Sequence, residues 1–83
     1  MKYLCDKEGL LCFGKRLRQV RLERGFSQEE LAYSCGLTLS QIGRIERGVI
    51  NTSLSTVFVI ARTLQVELPY LFDISLPPFE HRL

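Results

Sequence analysis

The sequence predicts an all-α fold of five helices in a single domain. Apolar side chains recur at spacings of three and four residues in several segments, which is the periodicity of helices with one buried face. Serine or threonine precedes most of these segments and glycine follows several of them, as at helix N- and C-termini. With 83 residues, the chain is long enough for one modest hydrophobic core.

The first predicted helix covers about residues 8–24. Its three- and four-residue spacings place one apolar face toward the core, and Gly25 supplies a C-terminal stop. The apolar positions of this helix are Leu10, Phe13, Leu17 and Val20.

The next two predicted helices are short and are separated by a turn that contains one glycine. Ser27 with Glu30, and Thr38 with Gln41, have the spacing of capping boxes, so each pair opens a helix. Gly36 ends the former helix and Gly48 the latter. The inward positions are Leu31, Ala32 and Cys35 in one helix, and Ile42 and Ile45 in the other.

Ser53 is the predicted N-cap of a fourth helix that runs to about Leu64, after a loop at residues 49–52. We expect Leu54, Val57, Ala61 and Leu64 on its inward face, widened by Phe58. A short fifth helix is predicted at residues 67–73, with Pro69 in its first turn. The sequence leaves open whether residues 1–8 and 73–83 are ordered or extended; adjacent prolines make the tail unsuited to a helix.

Composition argues against several classes of protein. No apolar run approaches the roughly 18 residues that span a bilayer, and the N-terminus lacks the features of a secretory signal. We therefore expect a cytoplasmic protein with reduced thiols and no membrane partner. The three cysteines and the lone His81 lack metal-ligand spacing, and no nucleophile–base pair is present. The sequence predicts no metal, no cofactor and no enzymatic activity.

Basic side chains are concentrated in the middle of the chain. Residues 13–62 hold eight basic side chains and four acidic ones, a surplus of four, whereas the net charge of the whole chain is only +2. Such a surplus is typical of a protein that binds a polyanion, although a solvated helix face carries a similar one.

The third predicted helix has an unusual outer surface. It carries uncharged polar side chains and arginine, with Glu46 as its one acid, so the i,i+4 Glu–Lys pairs of an ordinary solvated helix are missing. Serine, glutamine and arginine read base edges in DNA. Two short helices joined by a glycine-containing turn form a helix-turn-helix, whose second helix enters the major groove. The alternative from periodicity alone is a small bundle whose polar helix faces water.

The chain resembles the Cro and phage-repressor (XRE-type) helix-turn-helix family over about residues 13–72. The matching blocks are R-x-x-R-G-x-S-Q-E-E-L-A, G-L-T-x-x-x-I-x-x-I-E-R-G, N-x-S-L and A-R-x-L-x-V. The resemblance implies a compact five-helix domain like that of lambda repressor. Its length and the I-E-R-G-x-x-N stretch are similar to those of restriction-modification controller proteins, whereas Ile50 and Thr52 depart from their pattern.

The resemblance also implies residue roles. It assigns base reading to Leu39, Ser40, Gln41 and Arg44, and contacts to the DNA backbone to Ser27, Gln28, Thr38, Arg47 and Asn51. The Thr38–Gln41 capping box competes with any DNA contact of Gln41. An arginine of the first helix often pairs with the glutamate near the end of the third in this family, which predicts a structural ion pair between Arg21 and Glu46.

The fifth helix and its approach contain more large apolar side chains than two turns can direct inward. We therefore predict a homodimer surface formed by Leu68, Tyr70, Leu71 and Phe72. The alternative is that Leu76 and Phe79 of the tail fold back and cover them.

Taken with the resemblance, these features predict a sequence-specific transcriptional regulator that binds double-stranded DNA at a palindromic operator as a homodimer, with the third helix in the major groove. An antitoxin-type autoregulator of the same fold is the alternative. RNA polymerase and a cognate toxin are further candidate partners.

Overall fold

The computed structural model describes residues 5–78, and within this range the chain forms five helices and no strand. The helices are α1 (Lys7–Glu23), α2 (Gln28–Cys35), α3 (Leu39–Arg47), α4 (Leu54–Leu64) and α5 (Leu68–Leu71). They match the predicted helices in order and number, and most boundaries agree to within a residue. The all-α prediction is therefore confirmed.

One hydrophobic core joins all five helices. Each helix contributes at least one fully buried side chain: Leu17, Val20, Leu31, Ile42, Ile60, Leu64 and Leu71. Burial of one such side chain stabilises the fold by about 1.5–3 kcal/mol. Shared burial of this kind fixes short helices that would be marginal alone.

Side chains cap the first four helices. Asp6 Oδ1 accepts a hydrogen bond from the Gly9 amide at 2.9 Å, which starts α1. Ser53 Oγ accepts one from the Thr56 amide at 3.2 Å and so starts α4 as predicted. Each bond satisfies a backbone donor that the first helical turn leaves without a partner.

Two glycines allow α1 to approach the C-terminal end of α3 at backbone distance. A Cβ atom on Gly14 would lie 2.4 Å from the carbonyl oxygen of Glu46, and one on Gly48 would lie 2.8 Å from Leu11 Cα. No side chain fits at either point. The close contact sets the position of α3 on the scaffold.

The structure corrects the predicted inward face of α4. Leu54 is 64% exposed and Phe58 is 39% exposed, so neither is a core residue. Ile60, which the prediction omitted, is fully buried, whereas Val57, Ala61 and Leu64 are buried as predicted. Leu54 lies at the N-terminal end of α4, where it lines a groove that is open to solvent. The fifth helix is also shorter than predicted, with Pro69 in its first turn as expected.

The chain continues after α5 without helix through residues 73–78, as the prolines predict. Ile74 packs against the core, whereas Leu76 is 56% exposed. Residues 1–4 and 79–83 lie outside the described range, and with them Phe79 and His81. None of the described helices is both long and apolar enough to cross a membrane.

Candidate nucleic-acid interface

The segment from α2 to α3 has the geometry of two capped helices joined by a tight turn. Ser27 Oγ accepts from the Glu30 amide at 3.0 Å, and Glu30 Oε1 accepts from the Ser27 amide at 2.8 Å. The bond from the Ser27 backbone amide, followed by a smaller contribution from the Ser27 side chain, lowers the pKa of the Glu30 carboxyl group. Gly36 ends α2 with φ +72°, a conformation that favours glycine.

The same reciprocal arrangement opens α3. Thr38 Oγ1 accepts from the Gln41 amide at 3.0 Å, while Gln41 Oε1 accepts from the Thr38 amide at 2.8 Å. Both predicted capping boxes are therefore present. Because the side-chain oxygen of Gln41 is engaged in the box, its amide N–H groups are what remains for an outside partner.

A buried ion pair ties α3 to α1. Arg21 Nε donates to Glu46 Oε2 at 2.6 Å, and Arg21 Nη2 donates to Glu46 Oε1 at 3.1 Å. The structure thus brings together the two residues predicted to pair. Arg21 Nη1 also donates to the Phe26 carbonyl oxygen at 2.8 Å, so the guanidinium holds the loop before α2 as well. This two-point geometry fixes the orientation of both side chains.

Gln28 joins the same network, which the sequence did not predict. Its Nε2 donates to Glu46 Oε1 at 2.9 Å. The carboxylate of Glu46, on α3, therefore accepts hydrogen bonds from Arg21 of α1 and from Gln28 of α2. The second N–H and the Oε1 of Gln28 remain available to an outside partner. Gln28 is half-buried at the N-terminus of α2, where backbone N–H groups favour an anion.

The outward side of α3 is polar, basic and exposed. Ile42 and Ile45 are buried on one side, whereas Ser40, Arg44 and Arg47 are exposed on the other. Leu39 is 46% exposed at the first turn. Among residues 5–78 the ion pair between Arg21 and Glu46 is the only one, so both exposed arginines of α3 keep their charge free of a carboxylate. Asn51 is exposed in the loop that follows α3.

An open cleft of about 760 Å³ lies where α1 meets the start of α2. It brings Ser27, Gln28 and Leu39 to the same opening as Arg18, an exposed residue of α1. No role was predicted for Arg18 from the sequence. Arg18 lies three residues before Arg21, on the side of α1 that faces the paired helices. This spacing could have indicated its position in the cleft.

Tyr70 is not a simple apolar surface residue. Its hydroxyl donates to Glu23 Oε1 at 2.6 Å, and this bond raises the pKa of Tyr70 above its ordinary value of 10.0. Arg16 lies over the ring, with Cζ 4.4 Å from the centroid, and donates to the Tyr70 carbonyl oxygen at 2.8 and 3.0 Å. These contacts fix α5 to α1 while Tyr70 stays 44% exposed.

The predicted dimer surface needs one correction. Leu71 is fully buried and belongs to the core, so its side chain supports the surface from beneath and does not line it. Phe72 is 38% exposed and packs its ring 5.6 Å from that of Phe13, and Leu68 is half-buried. α5 has only four residues, and its one fully inward position is occupied by Leu71.

The segment after α5 returns toward α1. Cys12 Sγ lies 3.8 Å from the Ser75 carbonyl oxygen, and Ile74 and Leu76 line a groove of about 380 Å³ beside Phe72. Tyr70 and Phe72 nevertheless remain partly exposed with this segment in position. The contribution anticipated from Phe79 falls outside the described residues.

Several known proteins are similar to this chain in sequence or in structure. The helix-turn-helix family matches the chain over residues 17–71. The control protein C.BamHI of Bacillus amyloliquefaciens is 41% identical over 66 residues, which are 78% of this chain and 82% of that protein. The restriction-modification controller protein C.AhdI of Aeromonas hydrophila has a similar structure, with a TM-score of 0.73 and 44% identity over 76% of this chain and 96% of that one.

A third similar structure is the controller protein C.Esp1396I, described as a tetramer in complex with its natural 35 base-pair operator. It has a TM-score of 0.74 and 29% identity, and the match covers 82% of this chain and 90% of that one. The matched segment in all these comparisons contains the capped helix pair, and the family match contains the Arg21–Glu46–Gln28 network. The chain therefore belongs to the XRE-type helix-turn-helix family of DNA-binding transcriptional regulators.

Proposed function

We propose that this chain is a sequence-specific transcriptional regulator that binds a palindromic operator as a homodimer, with α3 in the major groove. The observation that carries the proposal is the division of α3 into two sides. Ile42, Ile45 and Glu46 anchor the helix, while Ser40 and Arg44 face outward, and no carboxylate of residues 5–78 forms an ion pair with Arg44. An exposed, unpaired arginine on a rigid helix suits bidentate binding to guanine O6 and N7.

The residues around α3 supply the positioning contacts. Ser27, Gln28 and Arg18 surround the cleft at the start of α2, and Thr38 and Asn51 flank α3. Hydroxyl, amide and guanidinium groups, together with helix N-termini, are the usual partners of phosphate oxygens. Such contacts fix the register of the protein on DNA without specifying sequence. Leu39 offers an apolar contact for a thymine methyl group.

We expect a dimer because the surface by which one copy of α3 can contact bases is small. A single short helix supplies few base contacts, and two half-sites read together supply the remainder. The partly exposed Leu68, Tyr70 and Phe72 form the proposed contact between copies. The operator-bound tetramer of C.Esp1396I supports assembly of more than one copy on DNA.

Selection of bound sequences from a random DNA pool tests the proposal directly. We expect the parent protein to enrich a palindromic site, and Arg44→Ala to tolerate changes at one base pair of each half-site. The loss on the selected site should be about 1–3 kcal/mol. Arg62→Ala is the matched control, because Arg62 is an exposed arginine of α4 away from α3.

Two results would count against this function. A pool that shows no enrichment would exclude sequence-specific binding. Enrichment of a site whose profile Arg44→Ala leaves unchanged would remove Arg44 from the reading surface and would weaken the placement of α3. The Arg44→Ala and Arg62→Ala variants should both retain the helix content of the parent in circular dichroism. A loss of DNA recognition can then be distinguished from unfolding.

A further inference from the structure

Gly43 and Arg47 are in contact on α3. A Cβ atom built on Gly43 would lie 3.1 Å from Arg47 Nη1 and 4.0 Å from Cζ. The guanidinium of Arg47 therefore lies against the backbone of the helix at Gly43, in the space that any other residue would fill with its side chain. Gly43 itself is buried.

This contact moves the charge of Arg47 away from the end of the helix. Arg47 is the last residue of α3, so a side chain extended into solvent would carry its charge away from the outer surface of the helix. Helical side chains tilt toward the N-terminus, and residues four apart lie one above the other. The guanidinium consequently lies one turn back, level with Gly43 and beside Arg44.

The helical period places Arg47 on the outward side of α3. Ser40 and Arg47 are seven residues apart, close to two full turns, and Arg44 lies between them three residues from Arg47. All three are exposed, and the buried Ile42 and Ile45 occupy the other side. Within residues 5–78 no carboxylate pairs with Arg47, so its planar set of donors is available.

We infer that Arg47 is a second base-reading arginine, held on the reading side of α3 by the absence of a side chain at Gly43. This role differs from the phosphate contact that the sequence pattern assigns to Arg47, and it rests on the proposed function. A guanidinium already lying on the helix loses less side-chain freedom on binding than an extended one. Gly43 is the positioning residue and Arg47 the one that touches the base.

The first test separates base reading from phosphate binding at Arg47. Arg47→Ala and Arg47→Lys are measured against the selected operator and against variants of that operator with each base pair changed. If Arg47 reads a base, both substitutions lose about 5- to 150-fold of discrimination at one position per half-site, since lysine keeps the charge but not the planar fork. If Arg47 contacts phosphate, Arg47→Ala weakens all sequences equally, Arg47→Lys restores most of the affinity, and the inference is wrong.

The second test addresses Gly43. Alanine has a better helix propensity than glycine, and its Cβ contacts only the movable end of Arg47, so Gly43→Ala should raise the melting temperature by about 3–8 °C. The same variant should lose discrimination at the position that Arg47 reads. In the Arg47→Ala background, Gly43→Ala should have no further effect on DNA selectivity. An equal effect in both backgrounds would refute the coupling.

The proposed function and this inference fail in different ways. A parent protein without sequence preference would exclude both. A parent protein with an operator that Arg44→Ala relaxes and Arg47→Ala weakens uniformly would preserve the function and exclude only the role inferred for Arg47.

Discussion

Replacement of Glu46 by alanine tests how strongly the buried network holds α3 to the scaffold. Arg21 is 5% exposed and Glu46 is 9% exposed, so loss of the carboxylate leaves a buried guanidinium whose one remaining acceptor among residues 5–78 is the Phe26 carbonyl oxygen. Breaking a buried pair in this way costs about 3–5 kcal/mol. Gln28 loses its partner on α3 as well.

That loss is large for a chain of this size. A domain of 83 residues has a free energy of unfolding of about 4–12 kcal/mol. The expected decrease in melting temperature is about 12–40 °C, since 1 kcal/mol corresponds to about 4–8 °C in small domains. We expect Glu46→Ala to be partly unfolded at ordinary temperature if the parent lies at the low end of this range.

Urea unfolding followed by circular dichroism measures the effect. Glu29→Ala is the matched control, because Glu29 is an exposed carboxylate in the first turn of α2, and its removal should cost less than about 1 kcal/mol. The double replacement Arg21→Met with Glu46→Leu removes both charges and should recover most of the loss. A decrease below about 1 kcal/mol for Glu46→Ala, or a double variant no more stable than it, would refute this reasoning.

Three further predictions concern α1 and Tyr70, the residue of α5 that bonds to it. Gly14→Ala should lower the free energy of unfolding by about 1–3 kcal/mol in urea, because its Cβ would meet backbone atoms 2.4 Å away; a variant as stable as the parent would contradict the close approach of α1 and α3. The raised pKa of Tyr70 means that its bond to Glu23 stabilises the fold below about pH 10 and is lost as pH rises through the folded-state pKa. Tyr70→Phe should therefore show a smaller decline in stability in alkaline urea titrations than the parent, and an equal decline would exclude Tyr70 as its source. Tyr70→Asp should shift the protein toward monomer in sedimentation with helix content retained, and unchanged dimerisation would place the interface elsewhere.

Local chemistry made most of the fold predictable. Ser27, Thr38 and Ser53 each cap a backbone donor three residues away, and such short-range bonds can be predicted from spacing alone. The inward side of α3 is equally predictable, because Ile42 and Ile45 are three residues apart on a helix with few other apolar side chains.

Features that depend on distant parts of the chain were not predictable from spacing. The bond from Gln28 to Glu46 spans 18 residues, and the bond from Tyr70 to Glu23 spans 47. Periodicity placed Leu54 inward because it shares a face with Val57, yet the N-terminal end of α4 lines an open groove and Leu54 is exposed. The ion pair between Arg21 and Glu46 was anticipated only through the family resemblance.

The two sides of α3 have different tolerance for change. Ile42, Ile45 and Glu46 are constrained by the core and by the network, whereas Leu39, Ser40 and Arg44 have exposed side chains whose replacement leaves those contacts intact. Surface substitutions away from such contacts usually alter stability by less than about 0.5 kcal/mol. Under the proposed function, mutation can therefore explore new operator sequences at the exposed positions while folding is preserved, and related chains can diverge in the sites they recognise while retaining the same scaffold.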